Sequence, residues 1–218
     1  MKTTLKRGAP TRLRILEAAS DLVYKKGVNG TSVDDVLAAS GTGKSQFYHY
    51  FSSKEGLVKE LIHFQLAKLP SMQPALLEKL GTVEGIQSWL DQILTDYGTG
   101  LYSQGSPIGN LANELASQNE NLRSDLQSIF SHWENCLTSG LKSLQSLGTV
   151  RSDAVADELA TYWVAAIEGA LLLAKTQQSQ APLKATLSQV KNHLKSMTVG
   201  ATAKKRPSPH RGILFNCP

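Results

Sequence analysis

The residues best equipped for specific chemistry fall in one short stretch of this 218-residue chain, Lys44-Ser45-Gln46-Phe47-Tyr48-His49-Tyr50-Phe51. Phe47 and Phe51 are four apart, so on a helix they share a face that can dock against neighbours. Lys44, Ser45, Gln46, Tyr48 and His49 take the rest of the surface, and Tyr50 is expected to pack. Together they offer a cation, hydroxyls, an amide and an imidazole, the donors and acceptors that base edges and phosphates of a nucleic acid require. The overlapping stretch Gly41-Thr42-Gly43-Lys44-Ser45 looks like the end of a phosphate-binding loop. The full loop needs Gly five positions before Gly43, where Ala38 stands, and a strand ahead of it, where the pattern is helical. Nucleotide binding is therefore excluded.

No other constellation carries chemistry. His132 and Cys136 are four apart and share a helix face, but two donors make no metal site. No Ser/His/Asp or Cys/His arrangement stands out, so neither catalysis, a metal nor a cofactor is expected. Two cysteines, Cys136 and Cys217, give no disulfide framework and fit a reducing cytosol. No apolar run reaches the roughly 18–20 residues that span a bilayer, and no signal peptide is apparent. The expected location is the cytoplasm, with no membrane partner.

Hydrophobic residues make up 41% and charged residues 19% of the chain, within the range of globular proteins. The net charge of +5 is modest, but its distribution is uneven. Lys2, Lys6, Arg7, Arg12 and Arg14 fall among the first 14 residues with no acid between them. Such an arm suits a phosphate-backbone binder; a solvated terminus has the same composition.

The elements that must position these groups read as helices throughout. Apolar residues recur at three and four positions and strand signals are nearly absent, which predicts an all-α fold. The first helix spans about Thr11 to Lys26, stopped by Gly27. A second starts at Ser32, where Ser32 and Asp35 have capping-box spacing. Ser40-Gly41 breaks the chain, and the third helix carries the polar stretch above. Ser53 caps a fourth, with Leu57, Leu61 and Phe64 turned inward. Pro70 and Pro74 mark a change of composition, which puts a boundary near residue 70. Longer helices come after it at about 83–103, 107–117, 121–147, 152–178 and 183–197, with Gly148 and Pro182 at breaks. Lys204 to Arg211 reads as a basic tail without periodic structure. Helices two and three, joined across Gly41, make a helix-turn-helix.

On these residues the chain resembles the TetR/AcrR family. The resemblance rests on Thr31 to Gly41, Lys44 to Phe51 and Ser53-Lys54-Glu55, preceded by Ile15-Leu16-Glu17-Ala18-Ala19 and Gly27. It covers residues 10–60. It implies an N-terminal three-helix DNA-binding domain (9–69, motif 32–51), a larger helical ligand-binding and dimerisation domain (70–198) and a tail (199–218). Lys44, Ser45 and Gln46 then face the major groove, Tyr48 and His49 contact backbone or bases, and Lys54 anchors a phosphate at a helix N-terminus. Thr42-Gly43 departs from the family, where an apolar residue and then Ser are usual, which predicts a looser turn.

The C-terminal part offers two further features. Leu183, Leu187, Val190 and Leu194 repeat at steps of four, three and four, and Val155, Leu159, Trp163 and Ile167 at steps of four. Each pattern suits a helix–helix seam, within one chain or between two copies. Trp89, Ile93, Tyr97, Asn110, Asn113, Trp133 and Trp163 could line a mostly apolar pocket, or simply fill a core. The segment Gly105-Ser106-Pro107-Ile108 is similar to a stretch of some TetR-like regulators where Cys often replaces Ser106. A serine cannot perform thiol chemistry, which favours reversible ligand binding. The implied function is a homodimeric repressor that binds a palindromic duplex operator and is released by a small effector. Two alternatives stay open: a small-molecule-binding protein with a vestigial head, and a ligand-free architectural DNA-binding protein.

Overall fold

The computed structural model describes residues 11–98 and 101–199. The basic residues Lys2, Lys6 and Arg7, the tail from residue 200 and Cys217 lie outside the described residues. Among the described residues ten α-helices run in order: α1 Thr11–Lys26, α2 Val33–Ser40, α3 Lys44–Phe51, α4 Lys54–Leu66, α5 Pro74–Leu77, α6 Val83–Gly98, α7 Pro107–Leu115, α8 Glu120–Ser146, α9 Ala156–Gln177 and α10 Ala181–Met197. Short 3-10 turns lie at Pro70–Met72, Glu78–Gly81 and Leu101–Gln104. Among the described residues the only β pairing is an isolated bridge between Val150 and Thr198. The expected all-α class holds.

Helix ends obey their caps. Ser32 is the α2 N-cap: its hydroxyl accepts the Asp35 N–H at 3.0 Å, while its own N–H donates to Asp35 Oδ2 at 2.9 Å. That is the capping box the spacing predicted. Those Ser32 bonds, and then the nearby Lys26 charge, hold the Asp35 carboxyl below its ordinary range. Gly41 closes α2 in the left-handed region (φ 63°), where a residue without a Cβ sits at no steric cost.

Four boundaries differ from the periodicity. The helix expected to reach 103 stops at Gly98 and gives way to a 3-10 turn, as glycine weakens helix there. The α9 start moves from 152 to Ala156, because the Gln145 amide holds the Arg151 and Ala154 carbonyls (3.0 and 2.6 Å) in a turn. Pro182 does not break α10; it sits in its first turn, where the missing N–H is harmless. The short helix α5, opened by Pro74, has no periodic length to reveal it.

The chain divides into two compact units. The first comprises the segment up to Lys68 and residues 107–127; the second comprises 69–106 and residues from 128 on. A boundary near residue 70 thus separates α4 from α5 and α6, but α7 and the first two turns of α8 group with the N-terminal unit. The first core is built from Ile15, Leu16, Ala19, Val36, Leu37, Phe47, Phe51 and Leu57. The second is larger and gathers apolar residues from α5, α6, α8, α9 and α10 around Trp89 and Trp163. No described helix is long and apolar enough to cross a membrane.

Candidate nucleic-acid interface and the core of the second unit

In α3, Phe47 and Phe51 are buried, as their spacing required. The opposite surface is open: Lys44, Ser45, Gln46, Tyr48 and His49 are all exposed, Tyr48 at 51%. Tyr50 corrects the expectation of packing. It is 42% exposed and its ring stands edge-on to His49, with centroids 4.9 Å apart. Two tyrosines flanking a histidine therefore project from one short helix. Position 50 lies about 60° from Phe47 on the wheel, at the flank of the buried face, so helical spacing alone does not decide its exposure.

The α2–α3 turn is better tied than its sequence suggested. The Thr42 N–H donates to the Leu37 carbonyl at 3.1 Å, and the Thr42 and Ser40 hydroxyls are 2.7 Å apart. Gly43 has no side chain to cap α3, but its N–H donates to Gln46 Oε1 at 3.4 Å. Gln46 thus commits one side-chain atom to the helix start and keeps its NH2 for a partner. Lys44 lies 3.3 Å from Asp34, both groups largely exposed. An exposed pair of this kind contributes ~1 kcal/mol or less, so a phosphate can displace it. Gly43-Lys44-Ser45 opens α3 directly after helix α2, with no strand ahead of it.

Lys54 is the first residue of α4, after the N-cap Ser53, whose hydroxyl accepts the Gly56 N–H at 3.0 Å. A cation beside free helix-terminal amides suits a phosphate. Arg12 and Arg14 prove not to be a free arm. They form the first turn of α1, and Arg12 is ion-paired to Glu60 of α4.

In the second unit, Trp89, Ile93, Tyr97, Trp133 and Trp163 are all buried in one core. The Trp89 and Trp133 rings meet edge-to-face at 6.0 Å. Their indole N–H groups are both buried without an acceptor, whereas Trp163 Nε1 donates to His193 Nδ1 at 3.5 Å. Asn110 and Asn113 are on α7, which groups with the first unit, and Asn113 is exposed. An asparagine on a short amphipathic helix gives no sign of which unit the helix will join.

Ser106, Tyr97 and Glu168 form a polar cluster that sequence spacing could not reveal. The Ser106 hydroxyl donates to Glu168 Oε1 at 2.9 Å, and the Tyr97 phenol is hydrogen-bonded to Ser106. Burial pushes the Glu168 carboxyl up to about 7 against the opposing pull of the Ser106 hydroxyl. Burial, and then the Glu168 charge, push the Tyr97 phenol up as well. Asp96, next to Tyr97 in sequence, is also buried, accepting the Ser71 N–H at 2.9 Å and the Gln92 amide at 2.7 Å.

Of the two readings of the apolar stripes, within one chain or between copies, burial in the single chain favours the first. Trp163, Ile167, Leu183, Leu187, Val190 and Leu194 are each at most 2% exposed in the single chain, because α9 packs on α10 and consumes both stripes. Of the set, Val155 is exposed and Leu159 half-buried. The outward face of α9 instead carries Tyr162, Leu172 and Leu173, each at least half exposed. His132 and Cys136 lie 3.8 Å apart in one helix, and no group of three or more His, Cys, Asp or Glu gathers among the described residues. Cys136 is not a free thiol, contrary to the expectation of two isolated ones.

Known proteins share this arrangement. Residues 15–61 match the bacterial regulatory proteins of the tetR family, and residues 82–189 match the LmrA/YxaF-like transcriptional regulator C-terminal domain. An HTH-type transcriptional regulator in the lacX 3' region of Lactococcus lactis is 31% identical over 183 residues, 83% of this chain and 91% of that relative. The chain belongs to the TetR family. The HTH-type transcriptional repressor DhaR of a Mycobacterium species is 28% identical over 83% of this chain and 90% of its own length. Among solved structures, a TetR-family regulator from Cytophaga hutchinsonii matches 91% of this chain and all of its own at TM-score 0.75 and 21% identity. One from Chloroflexus aurantiacus matches 89% and 98% at TM-score 0.73 and 25% identity. As a TetR-family member this chain is a helix-turn-helix transcriptional regulator and not an enzyme.

Proposed function

We propose that this TetR-family regulator is a homodimeric, cytoplasmic repressor that reads a palindromic operator through α3 and is released by a small, mostly apolar effector. One observation carries the DNA assignment: six side chains, Lys44, Ser45, Gln46, Tyr48, His49 and Tyr50, stand outside a helix whose Phe47 and Phe51 are locked into the core. A rigidly docked helix with a polar outer face meets the requirement for major-groove recognition. Lys44 and Lys54 neutralise phosphates and set register; Gln46, Tyr48 and His49 reach base edges or backbone.

Selection of bound duplexes from a random pool by the full chain tests this. The recovered site should be an inverted repeat, with half-sites about one helical turn apart, roughly 34–36 Å. Lys44→Ala should weaken binding across all sequences and flatten the log–log salt slope by about 0.9. Tyr48→Ala should weaken the selected site preferentially. Binding unchanged in the double variant sinks the assignment.

Dimerisation is attributed to the outward face of α9. Val155, Tyr162 and Gly169 recur every seven residues, and Leu172 and Leu173 continue the stripe. A Cβ at Gly169 would meet open space, so a second helix can approach closely. The effector site is assigned to the core of the second unit. There the buried, acceptor-less N–H groups of Trp89 and Trp133 call for an acceptor, and Glu168 with Ser106 and Tyr97 offers a polar anchor. Such a ligand releases DNA only by preferring the conformation that binds DNA poorly.

A further inference from the structure

Glu114 stands on α7, far in sequence from the helix-turn-helix, yet its carboxylate lies against the loop that leads into it. Oε2 accepts the Val28 N–H at 2.8 Å and Oε1 accepts the Asn29 N–H at 2.5 Å. Gly27 precedes them in the left-handed region (φ 73°), and a Cβ there would lie 2.8 Å from the same carboxylate. Successive N–H groups after a left-handed residue form a concave backbone nest for an anion, and here the anion is a side chain. A second rung lies beside it: the Asn29 side-chain NH2 donates to Gln118 Oε1 at 3.0 Å.

The loop passes this constraint on within four residues. Thr31 Oγ1 donates to the Gly27 carbonyl at 2.8 Å, and the Thr31 N–H to the Val28 carbonyl at 3.2 Å. The next residue is Ser32, the α2 N-cap, and α2 carries α3 across Gly41. The ties from α8 within this unit are weaker in kind. Lys59 pairs with Asp125 and Asn121 with Glu55, all between side chains near solvent. Glu114 instead grips backbone, with two charge-assisted bonds at once.

We propose that Glu114 is a positioning residue for operator recognition: its carboxylate fixes the α1–α2 loop and thereby the angle at which α2 and α3 meet DNA. The proposal rests on the DNA-binding reading above. It also gives α7 a role beyond connection. Pro107 opens α7, and Glu114 is the eighth residue of that helix.

The test compares the wild-type chain with Glu114→Ala, Glu114→Gln and Gln118→Ala on the duplex recovered by selection. Three readouts are taken: duplex Kd across salt, amide hydrogen exchange at residues 28 and 29, and Tm. If release lets each head populate its competent orientation about one third of the time, two heads weaken binding about tenfold. Glu114→Ala should show that loss with faster exchange at 28 and 29, and with the wild-type salt slope, because no phosphate contact is removed. Glu114→Gln keeps the shape and can accept from only one of the two N–H groups, so its loss should be smaller at unchanged Tm. Gln118→Ala should cost about twofold, since it removes one neutral bond at the surface. A Glu114 variant whose loop amides exchange freely but whose Kd stays within about twofold of wild type overturns the proposal. A wild-type chain that selects no duplex overturns the DNA-binding reading, and the clamp's role with it.

Discussion

Replacing Glu168 by Gln should change how the stability of the protein depends on pH. The substitution keeps the outline of the side chain and an oxygen to accept the Ser106 hydroxyl, and it removes the titration. In the folded chain the carboxyl titrates at about 7, against an ordinary 4.5, mainly because burial disfavours its charged form. A raised acid holds its proton more tightly folded than unfolded. Its contribution to stability is therefore fully present below about pH 4.5, is lost as pH rises through 7, and stays lost above. Moving a proton affinity from 4.5 to about 7 corresponds to about 3 kcal/mol, and residual solvent around a half-buried group brings this to about 2. For a chain of this size each kcal/mol moves Tm by roughly 2–4 °C. Thermal unfolding of both proteins should then show a Tm gap, variant minus wild type, that widens by roughly 4–8 °C between about pH 4.5 and pH 8. Groups that do not sense Glu168 cancel in that difference, and Tyr97, whose phenol is pushed up by burial and then by the Glu168 charge, titrates above the pH range used. A gap that does not change with pH would refute the burial of Glu168 as a strained acid, and with it the idea that its carboxyl forms a buried polar anchor for an effector.

Other substitutions separate the roles assigned above. Leu172→Asp with Leu173→Asp should yield folded monomers in sedimentation, because both side chains are half exposed on α9, whereas Leu194→Ala, fully buried, should cost about 2–5 kcal/mol in denaturant unfolding. Gly41→Ala meets open space and should cost only the left-handed backbone, about 1–2 kcal/mol by the same measurement, while Gly27→Ala adds a collision with the Glu114 carboxylate and should cost more.

Whatever a local rule determines is legible in the sequence. The capping box at Ser32, the left-handed stop at Gly41 and the four-residue spacing of Phe47 and Phe51 each involve neighbours on one or two helical turns. Together they locate the helix-turn-helix and its exposed side chains. Features that depend on which distant segments meet are not legible. Nothing around Ser106 announces Glu168, 62 positions away, and nothing around Glu114 announces the loop at Val28 and Asn29. Order along the chain assigns Asn110, Asn113 and Glu114 to the second domain, because they come after its first helices. The fold returns to the N-terminal unit at Pro107 and leaves again after Gln127, a path that periodicity cannot encode.

The apolar stripes on α9 and α10 are ambiguous for a different reason. A stripe at steps of four, three and four states only that a face is apolar, and α10 has one such face. Its stripe is used up within the chain, since Leu183, Leu187, Val190 and Leu194 are all buried where α10 packs on α9 and α6. The helix that can serve a partner must be apolar on more than one side, and α9 is. Beyond the buried Ala160, Trp163, Ile167 and Leu171 it shows Val155, Tyr162, Leu172 and Leu173 to solvent. Such excess is visible in composition: Leu171-Leu172-Leu173 places three leucines about 100° apart on the wheel, and one core-facing stripe cannot bury all three. If the chain self-associates as proposed, the signal for it is the breadth of the apolar arc on α9, while the regular stripe on α10 is buried within the chain.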